Sequence, residues 1–192
     1  LIGNYGINEE DIESDRIQVQ GFVVKEACKY PSNYRSKMPL GEYLQQAGIL
    51  AIEGIDTRAL TRHIRTGGAM KACLSTTDLD EKSVVAKAKA YVGMLDRDLA
   101  SEVTCTSRYQ WGDESPKEKP FRVAAYDFGI KWNILRLLSK RGCEVTVFPA
   151  AAPAEEIIDF NPDGLFLSNG PGDPAAVTYA IENIKKLLDK FP

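Results

Sequence analysis

Gly164-Leu165-Phe166-Leu167-Ser168-Asn169-Gly170-Pro171-Gly172-Asp173-Pro174 reads as a strand running straight into a ligand loop. The apolar run Gly164–Leu167 is bounded by turn formers, Asn161-Pro162-Asp163 before it and Asn169-Gly170 after it. Two glycines around a proline let backbone N–H groups approach a ligand with no Cβ in the way. In open α/β sheets, ligands bind at this carboxyl end of the strands. A helix is expected to follow over 175–190.

Working outward, the same grammar recurs upstream. Phe121 to Tyr126 (FRVAAY) predicts a strand, Lys131 to Arg141 a helix stopped by Gly142, and Cys143 to Phe148 a second strand. Ala154 to Phe160 predicts a short helix before the strand at Gly164. Strands that are nearly continuous in apolar residues and alternate with helices imply a parallel sheet covered on both faces. About seventy residues supply only half of such a domain, which leaves an apolar sheet edge without a partner.

Before residue 108 the pattern is different. Ile17 to Lys25 and Ile49 to Ile52 read as strands, and so does Ala69 to Ser75. Pro39 to Gln46 reads as a helix with Gly48 just past its end. Asp56 is placed to cap a helix through Arg65, on which Leu60 and Ile64 share a face. Asp80 is placed to cap another through Tyr91. Arg108 to Lys119 (RYQWGDESPKEK) is polar, charged and broken by Gly112 and Pro116, so it reads as a linker. The expected domains are therefore 1–107, of α+β type, and 120–192, the first half of a doubly wound α/β domain, joined by 108–119.

Composition narrows the function. The chain has 192 residues, 44% hydrophobic and 27% charged, with a net charge of −3. No basic stripe interleaved with aromatics is present, so no nucleic-acid partner is expected. No apolar run reaches membrane-span length, so no membrane partner is expected either. Cys28, Cys73, Cys105 and Cys143 form no CxxC pair and read as reduced structural thiols of a cytoplasmic protein. A single histidine, His63, rules out a His-rich metal site. The chain opens at Leu1 without methionine, and both ends read as cuts in a longer polypeptide.

The runs Tyr126-Asp127-Phe128-Gly129-Ile130-Lys131, Asn133-Ile134-Leu135-Arg136, Asn161-Pro162-Asp163-Gly164 and the Ser168–Pro174 loop resemble the start of a class I glutamine amidotransferase domain. Ile2-Gly3-Asn4-Tyr5-Gly6, Gly54-Ile55-Asp56-Thr57-Arg58-Ala59-Leu60-Thr61 and Asp98-Leu99-Ala100-Ser101-Glu102-Val103 narrow the resemblance. They are similar to the small, glutaminase subunit of carbamoyl-phosphate synthase in its bacterial form. The resemblance implies hydrolysis of L-glutamine by a Cys-His-Glu triad. It also implies passage of ammonia to a large subunit, which makes carbamoyl phosphate from bicarbonate and two ATP for arginine and pyrimidine synthesis. ATP and Mg/Mn would belong to that partner, and the small subunit itself would need no cofactor or metal. By resemblance Gly170 and Gly172 contact glutamine, with the Gly170 N–H as oxyanion donor. The family's nucleophile lies in a Gly-x-Cys-x-Gly segment expected a few residues beyond Pro192. No catalytic residue is therefore expected in this chain, which is predicted to be inactive alone. A serine of the family's missing first sixty or so residues would also contribute to glutamine binding.

Plainer readings stand beside these. The glycine loop also serves as an ordinary strand-to-helix turn with Pro174 opening the helix. Asp127-Phe128-Gly129 copies a kinase magnesium motif, but no phosphate loop or catalytic-loop pattern accompanies it, so it reads as a βα turn whose Asp caps the next helix. His63 reads as a solvated helix residue. Arg58, Arg62 and Arg65 share one face and read as wet surface, with a contact to the large subunit as the alternative. Trp132 fits either a cover for the sheet end or an interface. The alternatives for the whole are the small subunit of another amidotransferase, such as that serving anthranilate synthesis, or a non-catalytic module that docks on a synthase. In the anthranilate type the glutaminase domain starts near the N-terminus, and the hundred-odd residues before Phe121 count against it.

Overall fold

The computed structural model describes residues 1–112 and 120–192 and divides into two compact units, Leu1–Gly93 and Met94–Pro192. In the first unit, β1 (Gly21–Val23) pairs in parallel with β2 (Leu50–Ile52), with Gly21 opposite Leu50 and Val23 opposite Ile52. Between them, α1 (Leu40–Gln46) buries Leu44. The sequence predicts a longer strand over 17–25. Its partner β2 is three residues long, so the ladder ends where pairing ends.

Two helices follow, each started by the aspartate expected there. In α2 (Thr57–Gly67), the Asp56 carboxylate accepts the Arg58 and Ala59 N–H groups. In α3 (Glu81–Ala90), Asp80 accepts those of Lys82 and Ser83. Each cap satisfies N–H groups that have no partner inside the helix and contributes about 1 kcal/mol. The strand expected over 69–75 does not form. Leu74 instead lies against Gly21 of β1, where a Cβ would come within 3.2 Å of it. That segment packs through side chains and joins no ladder.

The second unit begins with the short helix α4 (Ala100–Val103) and the strand β3 (Tyr109–Trp111). Then come β4 (Phe121–Asp127), α5 (Trp132–Lys140), β5 (Cys143–Pro149), α6 (Ala154–Phe160) and β6 (Gly164–Leu167). A single 3₁₀ turn, Pro174–Ala176, leads to α7 (Thr178–Leu187). The sheet order is β3-β5-β4-β6, with β4 parallel to both neighbours and β3 antiparallel to β5.

Alternation along β4 divides the core. Ala124 and Tyr126 join Phe148, Leu165, Ile157 of α6 and Leu187 of α7 on one face. Val123 and Ala125 join Val145, Val147, Phe166 and Leu135 of α5 on the other. The sheet is thus covered on both faces, as nearly continuous apolar strands require. Arg122 seals one end of the unit. Its guanidinium lies 4.4 Å from the Phe160 ring centroid and donates to the Phe160 and Asn161 carbonyls, which close α6. Among the described residues no helix is long and apolar enough to cross a membrane.

Three expectations meet added structural detail here. The division between units falls at Gly93/Met94, upstream of the boundary expected at 107/108. The expected linker 108–119 also contains β3, and its residues 113–119 lie outside the described residues. Tyr109 and Trp111 alternate with Gln110, so both rings reach the α5 face of the sheet opposite Val147 and Val145. Trp132, undecided from sequence, packs against Trp111 with ring centroids 5.9 Å apart. The helix expected from 175 starts at Thr178, because the 3₁₀ turn opened by Pro174 comes first.

Candidate functional site

The carboxyl ends of β4 and β6 bring two turns together. β4 ends at Asp127, whose side chain is only 6% exposed. Its Oδ1 accepts the N–H groups of Gly129 and Ile130, both at 2.9 Å, and its Oδ2 accepts the Cys105 N–H at 2.8 Å. The sequence predicts that Asp127 caps α5. It closes the turn ahead of that helix instead, and α5 starts at Trp132, its N-cap Lys131 making no side-chain hydrogen bond.

The turn after β6 is latched onto this one. Ser168 Oγ accepts the Phe128 N–H at 2.9 Å, and Asn169 Nδ2 donates to the Gly129 carbonyl at 3.2 Å. Gly170 then lies directly on Phe128. A Cβ at Gly170 would sit 2.5 Å from the Phe128 carbonyl oxygen, far inside contact distance, so only glycine fits. Gly172 has φ +78°, the left-handed region that glycine adopts without strain. Beyond it, Asp173 Oδ1 accepts the Ala175 N–H and starts the 3₁₀ turn.

Between this loop and α7 lies a cavity of about 160 Å³. Its wall includes Gly170, Gly172, Phe128, Ala100, Val177 and Ile184. The N–H groups of Gly170 and Gly172 donate no hydrogen bond to any described residue, and both glycines are exposed. Two donors held on a rigid turn, unspent by the protein, are suited to a carbonyl oxygen on which negative charge develops.

The structure brings the two predicted site residues, Gly170 and Gly172, together at one rim. The other candidates lie elsewhere. His63, Arg58, Arg62 and Arg65 are exposed residues of α2 in the first unit. Cys28, Cys73, Cys105 and Cys143 are free and half-buried. Burial, then the charge of Asp127 and a hydrogen bond to it, push the Cys105 thiol up to about 12. That environment disfavours a thiolate and so leaves Cys105 a weak nucleophile. Burial and Asp98 likewise push the Tyr179 hydroxyl up to about 12, and it donates to Asp98 Oδ2 at 2.9 Å.

Sequence reasoning placed Asp127 in the βα turn, where a short acid just before Phe-Gly signals a side-chain-closed turn, but missed its bond to the Cys105 N–H and the parts played by Ser168 and Asn169. The run Asp98–Val103 was read only as part of the resemblance, and nothing local shows that Leu99 and Val103 touch this site from upstream.

Comparison with known proteins adds independent information. Residues 1–74 match the model for the carbamoyl-phosphate synthase small chain, CPSase domain. Residues 124–192 match that for class-I glutamine amidotransferase. The carbamoyl phosphate synthase small chain of Syntrophotalea carbinolica is 53% identical over 100% of this chain and 54% of its own length. Those of Vibrio parahaemolyticus and Pseudomonas syringae pv. tomato are 47% and 45% identical, each over 98% of this chain and 53% of their own length. The chain therefore spans about half the length of the curated relatives it matches.

Proposed function

Because the chain belongs to the carbamoyl-phosphate synthase small-chain family, we propose that its second unit is part of a glutaminase site. That site binds L-glutamine and supplies ammonia to a large subunit for carbamoyl phosphate synthesis. The observation that carries the proposal is the pair of uncommitted N–H donors at Gly170 and Gly172 on a loop with no room for a Cβ at Gly170. The sheet covered on both faces, with parallel β5, β4 and β6, supports reading this unit as part of a doubly wound amidotransferase domain.

In the complete subunit, a cysteine thiolate attacks the side-chain amide carbon of glutamine. The carbonyl oxygen becomes an oxyanion, and the Gly170 N–H is aimed at it. The C–N bond then breaks, a histidine gives a proton to the departing nitrogen, and ammonia leaves. Water hydrolyses the thioester to glutamate and restores the thiol. The 192 residues contain no Gly-x-Cys-x-Gly segment, so the chain alone is read as inactive. ATP and divalent metal act in the large subunit, whose partner the small chain is.

Gly170→Val in the complete subunit tests this. Its Cβ would meet the Phe128 carbonyl oxygen, and its bulk displaces the donor. Loss of one oxyanion donor costs about 2.7–4 kcal/mol of barrier, or roughly 10²–10³ in glutamine-dependent rate. Synthesis driven by added ammonia bypasses the loop and stays near wild type. Equal loss in both assays would remove the assignment.

A further inference from the structure

We infer that Asp98–Cys105 is a positioning element of the glutamine loop, and that Leu99 is the residue that sets the place of Gly172. The inference rests on the proposed glutamine contacts at Gly170 and Gly172. Neither family match reaches this segment, since one ends at residue 74 and the other begins at 124. It is nevertheless built into the site.

Leu99 lies beside Gly172. A Cβ at Gly172 would be 3.3 Å from Leu99 Cδ1 and 3.4 Å from its Cγ. Four residues on, Val103 Cγ2 lies 3.1 Å from the Cβ position of Gly129, and Pro171 Cδ lies 3.3 Å from that same position. Gly129 is therefore held between Val103 and the loop. Ala100, 2% exposed, packs with Val177 and Ala180 of the α7 region.

The segment is also tied down along its length. Tyr179 donates to Asp98 Oδ2 at 2.9 Å, the Ala150 N–H donates to Thr104 Oγ1 at 2.8 Å, and the Cys105 N–H donates to Asp127 Oδ2 at 2.8 Å. These bonds reach α7, the end of β5 and the end of β4. An element anchored at three points that lies against two glycines of facing turns fixes where those turns stand. Ligand-binding backbone works only when so held, since a shift of about 1 Å from a remote change costs up to ~10²-fold in rate.

The test uses the complete subunit with its large subunit, and measures kcat and KM for glutamine beside ammonia-dependent synthesis. Leu99→Ala is expected to lower kcat/KM for glutamine by about 10- to 100-fold while the ammonia-driven rate stays within about twofold. Leu99→Met, which conserves volume, is expected to recover most of the loss. Unchanged glutamine kinetics in Leu99→Ala would overturn the inference. So would a parallel loss in the ammonia assay that Leu99→Met does not restore. If Leu99→Ala does not fold, Tyr179→Phe replaces it. Loss of that one hydroxyl is expected to weaken glutamine use alone, and wild-type kinetics would overturn the inference. Failure of the underlying reading is seen separately, in a Gly170→Val variant that keeps glutamine use.

Discussion

Cys105 sits where a thiol is least able to ionise. Half-buried, with its own N–H bonded to the Asp127 carboxylate, it is held up to about 12 against an ordinary 9.0. The folded state thus favours the neutral thiol. Its contribution to stability is complete below about pH 9 and is lost as pH rises from there toward 12. Alkylation by iodoacetamide at pH 8, followed by peptide mass spectrometry, should find Cys105 the slowest of the four cysteines to react. Modification as rapid as at the other three would mean that the burial of Cys105 and its Asp127 contact do not persist in solution. The same carboxylate shows how a residue read as a helix cap takes a different part. Its two oxygens hold three N–H groups from two chain segments, and only folding brings the Cys105 N–H, 22 positions upstream, to it.

At the scale of elements, capping and periodicity were written plainly in the sequence. Asp56 and Asp80 start α2 and α3 as their positions foretold, and α6 and β6 occupy the ranges that their apolar patterns mark. The edge strand β3 was not legible. Three residues inside a polar, charged run give too short an alternation to stand out, and the strand exists because β5 offers it a ladder. Its anchor is Trp111, packed on Trp132 and opposite Val145. Trp111→Ala is expected to destabilise the second unit by about 2–4 kcal/mol, slightly less than truncation of a fully buried tryptophan. Chemical denaturation followed by circular dichroism measures it, and a loss below about 0.5 kcal/mol, the range of surface substitutions, would show that β3 is not part of the cooperative fold. By contrast, α2 carries Leu60 and Ile64 at 38% and 40% exposure and buries no residue, so its periodic stripe marks helix without marking core.

For the molecule as a whole, the outer edge of β6 is the exposed feature with the clearest consequence. The Leu165 N–H donates to the Pro192 carbonyl at 2.9 Å, yet Leu167, next on the same side of the strand, is 41% exposed. An apolar strand edge of this kind pairs with other copies. The 192-residue chain is therefore expected to self-associate in sedimentation velocity at micromolar concentration, and Leu167→Lys should shift it toward monomer. A monomer at all concentrations would contradict that. The order of strands and helices after residue 120, and the glycine loop that closes the β6 turn, followed from the sequence alone. Apolar periodicity, caps and turn formers are local, and their steric demands are the same in any surroundings. The placing of the β4 and β6 turns side by side, the clash that keeps Gly170 a glycine, and the Asp98–Cys105 strut beneath them were decided by tertiary structure. Each depends on a partner tens of residues away, and no local pattern records which distant backbone will arrive within 3 Å.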